Sequence, residues 1–185
     1  MTLVNSKLRK VREWDLKIIM RWRMSPDITQ YMCTDPKLTI EGQKKWFEKI
    51  QSDYDSFYWI YEVDGQPVGL VSLVDWDKSN SIIHTGAYIA EKWARSLQNI
   101  IDMNMNLTAY PFEKLHINKV SIEIMHHNVG QLNWAKRIGY VPEGILRQAI
   151  KKNGQYYDLH LFSILRSEWE NIRHKIHYNV LEIEE

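Results

Sequence analysis

Two neighbouring parts of the sequence carry residue types that could do chemistry. His84 stands in the strand-like run 81–90. Because histidine titrates near neutral pH, it suits the removal of a proton from an ammonium group. Residues 91–100 follow directly and lead into an amphipathic segment, which is where an α/β protein places a phosphate-binding loop. Such loops normally carry glycines, and this stretch has none, so a degenerate anion site, a different loop and a plain connection all stay open.

Polar side chains of this loop could take over the role of the missing glycines. Their donors suit phosphate oxygens, and an asparagine tolerates the left-handed backbone that a tight turn needs. The candidates are Arg95, Ser96, Gln98 and Asn99. Further along, the adjacent His126 and His127 have no third ligand at a metal-binding spacing, so we expect no metal site.

The length and composition predict one domain with a hydrophobic core. The chain has 185 residues, 44% of them hydrophobic, and a net charge of +1, which favours neither nucleic acid nor an acidic membrane as partner. The single cysteine, Cys33, excludes an internal disulfide and a cysteine-based zinc cluster. The polar N-terminus (1–15) and the lack of a long apolar run predict a cytoplasmic location. Eight Trp and ten Tyr indicate either an aromatic core or an aromatic-lined pocket.

Periodicity and turn signals define the elements of the first half of the chain. Asp64-Gly65 is a strong type I′ turn signal and predicts a hairpin between the runs 56–63 and 66–76. Before it we predict a strand at 8–13, a helix at 13–25, a helical turn at 25–33 that starts at Pro26, and a helix at 39–51 capped by Thr39.

The second half alternates strands and helices and closes with another hairpin. Asn128 is a good N-cap, Gln131 falls at the capping-box position and Gly139 suits a left-handed C-terminal cap, so 128–140 is the best-specified helix. The other predictions are a strand at 81–90, a helix to about Leu115 that Pro111 kinks or ends, a strand at 117–125, a hairpin at Asn153-Gly154 and a terminal helix from Arg166. This order predicts an α/β fold with a mixed sheet.

Three stretches carry a resemblance to a known family. Residues 64–76 look like a central hairpin, 117–148 like the strand, Asn, helix, Gly-Tyr and final hairpin of an acetyl-CoA site, and 22–32 like an acceptor-side segment. Together they resemble the GNAT superfamily of N-acetyltransferases over nearly the whole chain. The segment 22–32 is similar to that of the enzymes that acetylate a nucleotide-linked aminosugar in pseudaminic acid synthesis.

The resemblance implies a mixed, mostly antiparallel central sheet, flanked by helices, whose fourth and fifth strands part. It implies acetyl-CoA as co-substrate and places the loop pattern that holds its pyrophosphate on residues 95–100, with both glycines replaced. The implied coenzyme-binding residues are Ala87, Tyr88, Ile89, Arg95, Ser96, Gln98, Asn99, Ile100, Asn128 and Trp134.

The resemblance leaves the catalytic groups open between two residues. His84 lies where many relatives carry a Glu, and Glu123 matches an acceptor-side carboxylate of the nucleotide-sugar enzymes. The tyrosine that often protonates the leaving thiolate is replaced by Ala135, and Tyr140 falls at a position that is usually a core aromatic. The implied acceptor-binding residues are Trp22, Arg23, Tyr31 and Met32, with Arg23 suited to a diphosphate and the aromatic rings to stacking.

The expected function is acetyl transfer from acetyl-CoA to a primary amine of a small molecule, such as a UDP-linked 4-amino-4,6-dideoxysugar. One alternative is acetylation of a protein N-terminus, as in the enzymes that modify ribosomal proteins. The other is a catalytically silent GNAT-fold binding module, which the missing loop glycines and the missing tyrosine favour. No nucleic acid or membrane partner is expected, and a net charge near zero allows a homodimer.

Overall fold

The computed structural model describes residues 5–185 as an eight-stranded sheet flanked by helices. The polar N-terminal stretch of the sequence prediction therefore lies partly outside the described residues. The elements are β1 Ser6–Lys10, α1 Leu16–Arg23, α2 Pro26–Thr29, α3 Ile40–Ser52, β2 Phe57–Val63, β3 Gln66–Asp77, β4 Ile82–Ile89, α4 Leu97–Glu113, β5 Lys119–Met125, α5 Val129–Ile138, β6 Val141–Lys152, β7 Gln155–Leu165, α6 Arg166–Ile172 and β8 Glu182–Ile183.

The sheet has the order β6-β7-β5-β4-β3-β2-β1-β8. The β4/β5 and β1/β8 pairs are parallel, and the other neighbours are antiparallel, so the predicted mixed, mostly antiparallel α/β sheet is confirmed. Both predicted hairpins form. Their turn residues Asp64-Gly65 and Asn153-Gly154 all have positive φ, as a type I′ turn requires.

The fourth and fifth strands part in the middle of the sheet. They pair only where Ile82–His84 lies against Lys119–Ser121. Beyond that point β4 stays on β3 as far as Ile89, and β5 stays on β7 as far as Met125. The backbone edges of the two strands that face each other are therefore left without a sheet partner over residues 86–89 and 122–125.

Two apolar clusters cover the two faces of the sheet. Alternate residues of β2 divide between them: Trp59 and Tyr61 belong to the larger cluster, with α4, α5 and α6, whereas Ile60 belongs to the smaller one, with α1 and α3. Since successive strand side chains point to opposite faces, this division shows that α1 and α3 lie across the sheet from α4 and α5.

The helix and strand ends differ from the prediction in places with clear physical causes. The helix predicted from residue 13 begins at Leu16, because Glu13–Asp15 form a 3₁₀ turn. In that turn the Asp15 carboxylate accepts from the Arg12 amide at 2.8 Å and from the Arg9 guanidinium at 2.6 and 2.8 Å. Helix α4 continues past Pro111 to Glu113. Over the described residues, no helix is both long and apolar enough to span a bilayer.

Candidate active site

A cavity of about 920 Å³ opens where β4 and β5 part. Its walls come from the unpaired ends of those strands, from α1–α3 on one face and from α4 and α5 on the other. Ligand sites typically occupy concave, largely apolar cavities of this size. The cavity is thus a gap in the sheet itself, with free backbone groups along its sides.

The β4 side of the cavity presents backbone to a ligand. Ala87, Tyr88 and Ile89 all line it, and β3 occupies only one of the two edges of that segment. The β3 contact is close, because a Cβ on Gly69 would overlap the Tyr88 carbonyl oxygen and reach within 3.1 Å of the Ile89 Cα. The free edge can accept an extended ligand in the way that a sheet edge accepts a strand.

Two side chains of the glycine-free loop, Arg95 and Asn99, donate hydrogen bonds to nearby backbone carbonyl oxygens. The Arg95 guanidinium lines the cavity but donates to the carbonyl oxygens of Ile89 and Ala90, at 2.9 Å each. Asn99 is buried, and its side-chain amide donates to the Ala94 carbonyl at 2.9 Å. In this structure the Asn99 amide therefore holds the loop closed, and its role toward a phosphate stays a prediction.

Helix α4 supplies the anion-binding groups that remain at this loop. The Ser96 hydroxyl caps the helix by accepting from the Asn99 amide at 3.1 Å. Gln98 donates its side-chain amide to Asp102 at 2.8 Å. Within the described part of the chain, the backbone amides of Leu97 and Gln98 have no hydrogen-bond partner. Two free amides at the N-terminus of a long helix suit a phosphate.

The start of α5 forms the adjacent wall. Asn128 is the N-cap, its side-chain oxygen accepts from the Gln131 amide at 3.2 Å, and both residues line the cavity. Ile100 lines it from α4. Trp134 lies outside the lining and packs half-buried against the larger core. Its indole N–H is enclosed and has no hydrogen-bond partner among residues 5–185, and its contact with coenzyme A stays a prediction.

The structure separates the two candidate bases. Glu123 is exposed on β5 beyond the paired segment and lines the cavity. His84 lies at the last position where the two strands still pair, opposite Ser121, and is not part of the cavity lining. Of the two predicted bases, the structure thus places Glu123 at the cavity and His84 just before the point where the strands part.

The four predicted acceptor-binding residues differ in burial. Arg23, Tyr31 and Met32 line the cavity. Trp22 is only 3% exposed, its indole N–H donates to the Glu91 carboxylate at 2.8 Å, and it is not part of the cavity lining. Trp22 instead packs edge-on against Tyr88 at 6.3 Å and fixes α1 to the sheet.

A buried lysine that the sequence analysis did not identify holds one wall of the acceptor side. We call residues 29–35 the acceptor loop. Lys152, at the end of β6, is 8% exposed, and its ammonium donates to the carbonyl oxygens of Thr29 and Met32, the latter at 2.7 Å. It also pairs with the Asp35 carboxylate at 2.9 Å. Because the partners lie more than a hundred residues earlier, no local sequence signal marks this contact.

His127, just beyond β5, supports the acceptor loop from the other side. Its Nε2 donates to the Gln30 carbonyl at 2.6 Å, and its ring stacks on Tyr31 with centroids 5.8 Å apart. The Tyr157 ring of β7 also packs against the His127 ring, with centroids 5.2 Å apart. The wall that carries Tyr31 and Met32 is therefore tied to the sheet by direct contacts. Throughout residues 5–185, no three potential ligand side chains cluster to hold a metal.

Tyr140 brings a phenol to the cavity from the position that directly follows Gly139. It is buried after α5, and its hydroxyl lies 3.1 Å from the Thr108 hydroxyl, with both residues lining the cavity. Burial raises the pKa of Tyr140 to about 12, against the opposing effect of its bonds to Thr108 and Thr85. Tyr140 therefore packs in the core, as expected, and also lines the cavity.

Comparison with known proteins defines the class. A model of the acetyltransferase (GNAT) domain matches residues 8–161. The chain belongs to this family and is an acetyl-CoA-dependent N-acetyltransferase. Its fold matches that of a spermidine N-acetyltransferase from Vibrio cholerae, solved in complex with CoA and spermine, with a TM-score of 0.82 at 21% identity, covering 90% of this chain and 99% of the other.

Two curated relatives differ in their named activities. The Bacillus subtilis protein YdaF, provisionally named a ribosomal N-acetyltransferase, is 33% identical over 107 residues, a match that spans only 58% of each chain. The acetyltransferase PseH of Campylobacter jejuni is 24% identical over 115 residues, covering 62% of this chain and 69% of its own length. Membership of the GNAT family rests on the domain match over residues 8–161, and the names of these relatives do not agree on one amine acceptor.

Proposed function

We propose that this enzyme acetylates the primary amine of a nucleotide-linked aminodeoxysugar. The observation that carries the proposal is a pair of opposite charges, Glu123 and Arg23, in the wall of one cavity beside the free edge of β4. A carboxylate attracts an ammonium group, and a guanidinium binds phosphate oxygens through paired hydrogen bonds. An acceptor that carries both an amine and a diphosphate complements this pair.

The coenzyme side of the cavity positions the thioester. The pantetheine arm of acetyl-CoA lies along the free edge of residues 87–89, and its pyrophosphate lies at the free amides that begin α4. The amide of Tyr88 or Ile89 then faces the thioester carbonyl. A fixed N–H donor there stabilises the oxyanion of the tetrahedral intermediate, where negative charge develops.

Glu123 acts on the amine. It draws the ammonium into the gap between the strands and accepts its proton through a water molecule, so that the neutral nitrogen attacks the thioester carbon. Collapse of the intermediate breaks the C–S bond and releases coenzyme A as thiolate. The second proton of the attacking nitrogen passes through water to this thiolate, so that the products are the neutral amide and the coenzyme A thiol. Holding both reactants in one gap removes the entropy cost of their encounter.

A protein N-terminus is the second candidate acceptor, and the identity with YdaF over 107 residues favours it. The acceptor side is lined by aromatic and apolar side chains together with a single exposed carboxylate, Glu123, and one half-buried Asp, Asp27. A peptide N-terminus supplies an amine for Glu123, but it has no phosphate group for Arg23 to bind.

The test is release of the coenzyme A thiol with three acceptors: a UDP-linked 4-amino-4,6-dideoxysugar, the same aminosugar without the nucleotide, and a short peptide. We expect the nucleotide-linked sugar to have the highest kcat/KM. Arg23→Met should raise KM for that substrate about tenfold or more, corresponding to one charge-assisted contact, while the exposed Arg147→Met serves as control. Faster turnover of the peptide, or equal effects of Arg23→Met on all three acceptors, would refute the proposal.

A further inference from the structure

A glutamine in the wall of the cavity has no structural partner. Gln43 lies on α3, one turn before Trp46 and Phe47, on the face that packs on the sheet. It lines the cavity and is 6% exposed. Its side-chain carbonyl oxygen is enclosed and has no hydrogen-bond partner among residues 5–185.

A second unpartnered polar atom belongs to the same cavity wall. The Tyr88 hydroxyl is enclosed and likewise lacks a hydrogen-bond partner in the described part of the chain. Burial raises the pKa of Tyr88, so its phenol stays neutral and can both donate and accept. Tyr88 and α3 belong to the same apolar cluster on this face of the sheet.

The surroundings of these two atoms are largely apolar, apart from Arg23, whose charge opposes the rise in the pKa of Tyr88. Trp46 and Tyr58 also line the cavity, and their rings meet edge to face at 5.3 Å, with Leu38 and Pro36 nearby in the lining. Buried polar groups in folded proteins are nearly always hydrogen-bonded. Two unbonded polar atoms beside a ligand cavity therefore indicate that a ligand supplies their partners.

We propose that Gln43 and Tyr88 form a polar subsite that binds an uncharged hydroxyl or amide N–H group of the acceptor, apart from the amine held by Glu123. This inference rests on the proposed function and narrows its substrate class. The Tyr88 hydroxyl can donate to many groups, but the Gln43 carbonyl oxygen needs an N–H or O–H donor, which an ionised phosphate does not supply. In an apolar wall, a neutral amide also does not compensate for the desolvation of a second ammonium. The subsite thus favours a hydroxylated amine over a polyamine.

A matched pair of cyclic amines tests the subsite. Glucosamine carries hydroxyl groups around its amine-bearing ring, and cyclohexylamine carries none. In the Gln43→Leu variant, we expect the loss of kcat/KM with glucosamine to exceed the loss with cyclohexylamine by about tenfold, since a site built to bond a hydroxyl discriminates strongly for it. Tyr88→Phe, which keeps the ring, should show the same preference. Gln51→Leu, an exposed glutamine of α3, is the control.

Two further measurements separate a binding role from a structural one. Gln43→Leu should keep the wild-type Kd for acetyl-CoA, and its Tm should not fall, because the change removes an unbonded polar atom. Equal losses with both amines, or a lowered Tm with no change in the ratio of the two amines, would overturn the proposal. If the wild type acetylates glucosamine but not the nucleotide-linked sugar, and Gln43→Leu still discriminates, the subsite stands and the proposed function fails.

Discussion

Replacing Lys152 with methionine should loosen the acceptor loop and leave the coenzyme side intact. Methionine keeps most of the apolar stem and removes the ammonium. That ammonium is buried and bonds two carbonyl oxygens and the carboxylate of Asp35. Hydrogen bonds to charged groups contribute about 1.5–3 kcal/mol each when both partners are buried.

The expected loss is smaller than the sum of three such bonds. The Asp35 side chain is 40% exposed, so water replaces that partner, and burying a lysine carries its own desolvation cost. We expect the free energy of unfolding to fall by about 2–3 kcal/mol. In a domain of this length, this corresponds to a drop in Tm of roughly 4–12 °C.

The assay combines thermal unfolding with steady-state kinetics. Lys151→Met is the matched control, because Lys151 is exposed and lies over the Tyr156 ring at 5.2 Å. Lys152→Met should raise KM for the amine several-fold, while Kd for acetyl-CoA stays unchanged. If Lys152→Met melts with the control and has the same KM for the amine, the assigned role of Lys152 is wrong.

Three other changes test the packing around the site. Gly69→Ala should cost about 1–3 kcal/mol of stability and weaken acetyl-CoA binding, because the new Cβ overlaps the Tyr88 carbonyl oxygen. Denaturant unfolding and calorimetry compare it with Gly144→Ala, where the added Cβ meets open space. Equal behaviour of the two variants would contradict this prediction. Gly139→Ala should cost about 1–2 kcal/mol, since Gly139 has φ of 103° and its Cβ would lie 2.6 Å from Ile172; a Tm equal to that of the wild type would refute this strain. Burial raises the pKa of Tyr140 to about 12, whereas an unfolded phenol titrates near about 10. The part of the free energy of unfolding that depends on Tyr140 should therefore be fully present below about pH 10 and be lost as the pH rises toward about 12. Denaturant titrations should show a smaller loss of stability at alkaline pH for Tyr140→Phe than for the wild type. An identical pH dependence of the two proteins would exclude a contribution from Tyr140.

Local signals in the sequence predicted most of the fold. Asp64-Gly65 and Asn153-Gly154 define their hairpins because a type I′ turn needs positive φ at both positions. Asn128 and Gly139 mark the ends of α5 because each satisfies backbone groups within its own turn. The strand β8 was missed, since two residues carry no periodic pattern.

The parts of the site that the sequence could not predict depend on contacts between distant parts of the chain. Periodicity placed Trp22 on a helix but could not show that Glu91 accepts its indole N–H. The choice between His84 and Glu123 depends on where the β4/β5 pairing stops, which is a matter of register between strands. Asn99 has the right chemistry for phosphate, but loop closure directs its amide to Ala94.

Calorimetric titration with acetyl-CoA tests the central claim most directly, because every proposed step requires the coenzyme in the gap between β4 and β5. We expect one site per chain at about micromolar affinity. Arg95→Ala removes two hydrogen bonds that hold the loop to the end of β4, and it should weaken binding about tenfold. Arg147→Ala should bind like the wild type. An absence of binding at millimolar acetyl-CoA, or equal affinity for the wild type and Arg95→Ala, would contradict the account of this site.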